Sequence, residues 1–208
     1  MLWIAPTHGS TILLRANPWW MRASGERLAT GLTPYPNPAG KLILTLGEND
    51  DWSQLGVESL TSRTFADKET ITLGLSSVAA NTESTQGHFS LRNSDDNSYF
   101  SIANLAGDLV FMYTDPGCGE FNVVVRVPYN PNVHNDLRLR RDGDLLHAEV
   151  KSRNVRGYTV FGTHALNEIQ QDSLENVNVV LRAVTHERTS NAGAFSYDYF
   201  EHNTECNN

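Results

Sequence analysis

Eight side chains in this 208-residue chain combine chemistry with a spacing that sets their direction. In an extended strand, successive side chains point to opposite faces. In His88-Phe89-Ser90-Leu91-Arg92, Phe89 and Leu91 turn to a core, so His88 and Arg92 turn away. Phe100 and Ile102 go inward and leave Tyr99 outside. Val123, Val125 and Val127 share a core face, which puts Asn122, Val124 and Arg126 on the other. Leu137 and Leu139 send Arg138 and Arg140 outward; Ala148 and Val150 do the same for His147 and Glu149. If these strands adjoin, one face carries His88, Arg92, Tyr99, Arg126, Arg138, Arg140, His147 and Glu149. Such a face binds hydroxyls, and its guanidiniums suit carboxylate or sulfate because they donate in a rigid fork. The competing expectation is a solvated face whose Arg and Glu side chains pair across strands.

Other chemistry is thinly supported. His8, His88, His134, His147, His164, His186 and His202 show no metal-ligand spacing. No Gly-x-Ser-x-Gly elbow and no glycine-rich phosphate loop occur, although a Ser-His-Asp set needs no sequence proximity. Glu48, Asp50 and Asp51 cluster beside Gly47 and Asn49 and read as a turn, as do Asp95, Asp96 and Asn97. Cys118 and Cys206 sit in turn-like contexts. Two free thiols are one expectation. A bridge tying the tail to a loop is the other; it would contribute up to ~4 kcal/mol and imply an oxidising compartment.

The elements that must position these residues are strands. A period of two runs through 41–47, 69–75, 88–103, 109–113, 121–127, 136–151, 157–162, 178–184 and 194–200. Residues 88–103 read as a hairpin around Asn93–Ser98, and Asp142-Gly143 is the clearest hairpin turn. Only His164 to Glu175 holds a helical signal. Short strands every ten residues or so indicate an all-β sandwich or barrel in a single domain, 1–208, with an irregular start and a frayed end.

A formal net charge of −8 repels phosphate backbones, so no nucleic-acid partner is expected. No run of about 18 apolar residues is present, so no membrane insertion is expected. The N-terminus lacks signal-peptide character, which leaves a cytoplasmic, a particle-associated or an extracellular setting open.

Several segments together resemble the concanavalin A-like lectin/glucanase jelly roll, in particular the small modules appended to bacterial glycoside hydrolases. These are Trp19-Trp20 with Gly25, the Gly87–Arg92 and Tyr99-Phe100 hairpin, and Leu137 to Glu149 around Asp142-Gly143. Ser152, Gly157 and Tyr158 follow, then Tyr197-Asp198-Tyr199-Phe200. The resemblance covers about 19–201 and fits 31–68 poorly. It implies a two-sheet antiparallel jelly-roll β-sandwich whose concave face binds sugars by aromatic stacking and polar contacts. Glucanases of this fold need two carboxylates about 5–5.5 Å apart for retention. No strand here carries the Glu-x-Asp-x-x-Glu arrangement, so a non-catalytic chain is expected. Lyases of similar fold use a Tyr or His base with a neutralising Arg, the form an enzyme would take here. The fold also often holds a structural calcium near its terminal strands, with Asp198 at that position; no cofactor is otherwise required. Of Trp3, Trp19, Trp20 and Trp52, Trp52 is the exposed stacking candidate and Trp20 a core residue. The reading is a glycan-binding or adhesion module for a polysaccharide, an acidic one by its Arg content. The alternatives are a structural subunit of a homo-oligomer or phage particle, and a polysaccharide-active enzyme.

Overall fold

The computed structural model describes residues 19–24, 32–33, 42–46, 53–59, 61–78, 85–185 and 193–204. Its strands form two antiparallel seven-stranded sheets. Sheet I runs in the order β1 (Trp19–Ser24), β4 (Ser53–Ser59), β13 (Val177–Thr185), β6 (Thr85–Asn93), β7 (Tyr99–Leu105), β8 (Asp108–Thr114), β9 (Asn122–Pro128). Sheet II runs β12 (Thr159–Ala165), β11 (Leu145–Lys151), β10 (Asp136–Asp142), β5 (Glu69–Ser77), β14 (Gly193–Thr204), β3 (Leu42–Leu46), β2 (Leu32–Thr33). The two C-terminal strands are inserted between earlier ones, β13 between β4 and β6 and β14 between β3 and β5. This is the jelly-roll sandwich that the strand spacing and the resemblance implied.

Alternation builds the core. Across sheet I the register aligns Phe89 with Ile102 and Phe111, and Leu91 with Phe100 and Tyr113. Ile71, Leu73, Leu137 and Leu139 answer from sheet II. Each such side chain fully withdrawn from water contributes roughly 1.5–3 kcal/mol. The helix α1 (Glu168–Ser173) lies within the segment expected to hold one. Asn167 caps it in a reciprocal box with Gln170, and Leu174 behind it is fully buried.

Four local expectations are corrected. The β10–β11 turn centres on Gly143-Asp144, because Asp142 pairs with Leu145 and Gly143 takes the positive φ of 62°. A bulge in β9 sets Val123 opposite Met112 and Val125 opposite Phe111. Val125 and Val127 therefore pack on the core, as does Val124, which alternation had sent outward, while Val123 is 54% exposed. The tail expected to fray from 201 continues β14 to Thr204, paired with β5. The strand expected at 157–162 starts later, at Thr159. Cys118 is an exposed free thiol; Cys206, Trp3 and Trp52 lie outside the described residues, as do the side chains of Trp19 and Trp20.

Gly162 of sheet II is packed tightly against sheet I. A Cβ there would lie 2.6 Å from Val125 Cγ1 and 2.9 Å from Phe111 Cδ1. Gly162→Ala should destabilise the protein by about 1–3 kcal/mol through overpacking, read as a lower urea midpoint.

Buried Glu69 pairs with Arg63, and the His202 ring lies against both. Burial and the Arg63 guanidinium push the His202 imidazole down to about 4. An unfolded imidazole takes a proton near its ordinary pKa of about 6.5, so the unfolded chain binds more protons between those values. This contribution to stability is present above pH 6.5 and is lost as pH falls toward 4. In His202→Asn the slope of unfolding free energy against pH across that window should shrink by up to about one proton equivalent.

Candidate functional site

The topology divides the eight expected side chains between two opposite faces, so the single Arg-rich face does not form. His88, Arg92, Tyr99 and Arg126 belong to β6, β7 and β9 of sheet I. Arg138, Arg140, His147 and Glu149 belong to β10 and β11 of sheet II. The break falls at Pro128, where the chain leaves sheet I and returns in sheet II at Asp136.

On sheet II the cross-strand register sets Glu149 opposite Arg138. Its carboxylate accepts from Arg138 Nε at one oxygen and from Arg140 Nε, at 2.9 Å, at the other. Glu149 is 3% exposed, so the pairing offsets much of the cost of burying that carboxylate. Arg140 also reaches Asp142 at 3.1 Å, Lys68 pairs with Asp142, and Lys151 stands 3.5 Å from Asp136. The Arg138 guanidinium lies 3.6 Å from the Tyr158 ring centroid. Burial and a hydrogen bond to Asp136 push the Tyr199 phenol up. His147 bonds Thr163 at 2.9 Å, and burial with the nearby Arg140 charge pushes its imidazole down. The cations of this face are matched by Glu149, Asp142 and Asp136, which is the cross-strand pairing weighed as the competing expectation.

Sheet I presents a different surface. Outward positions Ser90, Ser101, Ala103, Val110 and Met112 are buried and form a floor of small and apolar groups. Tyr99 reaches over this floor. Arg92 and Arg182 place their guanidinium carbons 5.5 and 5.4 Å from its ring centroid, and Arg182 donates to its hydroxyl at 3.3 Å. Phe121, 47% exposed, has its ring 6.1 Å from Tyr99 and 6.2 Å from His88. His88 Nε2 lies 2.8 Å from Gln86 Oε1, and Nδ1 lies 3.3 Å from Ser101 Oγ. Glu58 stands 3.7 Å from Arg92. Arg126 is apart from this group, at the β9 edge, 3.6 Å from Asp108.

Arg182 and Phe121 were absent from the sequence-based set. Arg182 had a usable signal: Leu181 and Ala183 are buried core neighbours, so alternation alone sends Arg182 outward. Its stem lies across Gly56, where a Cβ would come within 2.8 Å of Arg182 Cγ. Phe121 had no such signal. It precedes β9 and reads as a strand residue, and only its contacts with Tyr99 and His88 place it at the site.

Asp198 pairs with Arg153 at 3.0 Å. Among the described residues no group of three or more His, Cys, Asp or Glu side chains is placed to hold a metal ion. No helix among them is long and apolar enough to cross a membrane.

No protein-family profile matches the chain, and no curated protein does. Solved structures match by shape. A glycoside hydrolase family protein of Mycobacterium thermorestibile aligns with a TM-score of 0.61 at 11% identity, over 93% of this chain and 95% of that one. A legume lectin-like domain from Entamoeba histolytica aligns at 0.57 and 8% identity, over 90% of each chain. The CBM2 module of the evolved Dit of Lactobacillus casei BL23 phage J-1 aligns at 0.55 and 11% identity, over 83% and 80%. The chain has the concanavalin A-like jelly-roll fold.

Glu149→Gln should leave Arg138 and Arg140 facing one another without their shared counter-charge. Both guanidiniums are partly solvated, so the expected loss is about 2 kcal/mol, read by urea denaturation.

Proposed function

We propose that this protein is a glycan-binding module and that the ligand docks on the outward face of sheet I. The observation that carries the reading is Phe121, a half-exposed aromatic ring beside Tyr99 at the margin of a floor of small side chains. An exposed ring offers an apolar face to sugar C–H groups, while Tyr99, His88, Arg92 and Arg182 supply donors and acceptors for hydroxyls. Lectin-like, CBM2 and glycoside hydrolase structures of this fold support a glycan ligand. The phage module among them supports a setting on a particle as well as one in a larger extracellular system.

A second reading is an eliminative polysaccharide lyase. It is favoured by the Tyr99 hydroxyl accepting from the Arg182 guanidinium, with His88 across the strand pair from Arg182, which together offer a base and a neutralising cation. In that chemistry a base removes the proton beside a uronate carboxylate, electrons form the ring double bond, and the glycosidic oxygen leaves with a proton.

A glycan array followed by calorimetry on the hits tests the main reading. Phe121→Ala and Tyr99→Ala should each weaken binding about tenfold or more, matching roughly 1–3 kcal/mol for a lost stacking platform. Ile169→Ser, an exposed change on α1, should leave affinity unaltered. Full affinity in both aromatic variants would place the ligand elsewhere. Release of an unsaturated sugar on prolonged incubation would favour the lyase.

A further inference from the structure

We infer that the sheet I face selects an anionic sugar, with a uronate carboxylate or a sugar sulfate held between Arg92 and Arg182. This rests on the glycan-binding reading and adds the charge class of the ligand.

The argument starts from the register. Arg182 pairs with His88, Val180 with Ser90, and Asn178 with Arg92. Arg182 and Arg92 are therefore diagonal across the β13–β6 pair, four residues apart along the ladder, with Val180 and Ser90 between them. Neither intervening side chain is charged. Both guanidiniums nonetheless converge on one ring, that of Tyr99. Bringing two like charges to one aromatic platform raises their mutual repulsion, and an anion docked between them removes it.

Among the described residues one carboxylate stands near this pair, and it reaches one guanidinium alone. Glu58, which faces Val180 from β4, is 3.7 Å from Arg92, longer than a hydrogen bond. Among the described residues Arg182 has no carboxylate partner, and its hydrogen bond goes to the Tyr99 hydroxyl. Sheet II shows what internal neutralisation looks like in this same fold: Arg138 and Arg140 share one carboxylate that is 3% exposed. On sheet I the matching position between the two arginines holds the Ser90 hydroxyl, which donates to Ser101.

The placement also suits a sugar ring. Phe121 lies beside Tyr99 and is 47% exposed, so a pyranose stacked on it can turn a substituent toward the Arg182 and Arg92 donors. A guanidinium takes a carboxylate or a sulfate through two parallel N–H···O bonds, which a neutral hydroxymethyl group cannot reproduce. The chain as a whole carries −8, so acidic polymers meet general repulsion. Selection must come from this local pair, and salt should weaken it.

The test compares each acidic ligand with a neutral twin of the same linkage. Oligogalacturonate is paired with its carboxyl-reduced form, and sulfated carrageenan oligosaccharide with its desulfated form. Affinities are measured by calorimetry on the full chain at low and at physiological salt. The wild-type protein should bind at least one acidic ligand about tenfold or more tightly than its twin, with the gap narrowing as salt rises. Arg182→Met should abolish that gap, lowering affinity for the acidic ligand about tenfold more than affinity for its neutral twin. Arg182→Lys should retain part of it, which also guards against a folding defect. Preference for uronate or for sulfate identifies the anion, and either supports the inference. Equal affinity for acidic and neutral twins overturns it while leaving glycan binding intact. Binding to neither class overturns both. An acid preference that survives Arg182→Met and Arg92→Met overturns the assignment to this pair.

Discussion

The structure depends on the register between β13 and β6. Leu181 faces Phe89 in the core, and this fixes Arg182 opposite His88 on the other side. A slip of one residue would send the Arg182 guanidinium into a packed apolar interior and bring Leu181 out. An unpaired charge there costs several kcal/mol, so the core holds the register against any pull from the surface. The same strand pairs with β4 on its other edge. There it sets Gly56 under Arg182 and Glu58 beside Val180. Gly56 matters because a side chain at that position would meet both the Arg182 stem and the Leu181 carbonyl. The charged surface is thus a by-product of how leucines and phenylalanines interlock beneath it.

How much of this was legible in the sequence follows from the range of each interaction. Alternation is local, so the outward direction of His88, Arg92, Tyr99, Arg138, Arg140 and Glu149 could be read directly. Hairpins are nearly local, so β6–β7 and β10–β11 were visible from their turns. Which hairpins share a sheet is not local. The segment from Tyr129 to Asn135 carries the chain from sheet I to sheet II, and the sequence shows only that strands stop at Pro128, Asn130 and Pro131. That one connection separates Arg126 from Arg138. The β9 bulge was equally hidden. The seven residues Phe121 to Val127 look regularly alternating, yet Val123 is exposed because Val124 is the extra residue.

Some local strain was hidden for a related reason. The β7–β8 turn is Ala106-Gly107, with φ of 52° and 88° at its two central residues. Positive φ suits Gly107 and disfavours Ala106, so local preference alone would not have centred the turn there. The Leu105–Asp108 pairing holds it, together with the Tyr129 N–H donating to the Gly107 carbonyl at 2.9 Å. Long-range packing overrides a local cost of about 1 kcal/mol.

The two outward faces carry overlapping residue types and pair their charges differently, and the cause is spacing. On sheet II a Glu stands directly across from one Arg and diagonal to the other, so two guanidiniums converge on one carboxylate. Ordering three long side chains has an entropic cost, but the short charge-assisted bonds and the burial of Glu149 fix all three together. That face is closed on itself. On sheet I the acid is in the neighbouring strand, opposite Val180, and at 3.7 Å it grazes one guanidinium. The positions between the arginines are a valine and a serine, and the two cations turn to an aromatic ring instead. A ring face attracts cations weakly, by about 0.5–1 kcal/mol at solvated sites, and does not cancel their charge. Among the described residues Arg182 thus has no carboxylate partner and Arg92 has Glu58 at 3.7 Å, beside the half-exposed Phe121 ring. A composition that counts arginines cannot separate these two outcomes. The difference is whether the carboxylate falls between the guanidiniums or beside them, and the strand register decides it.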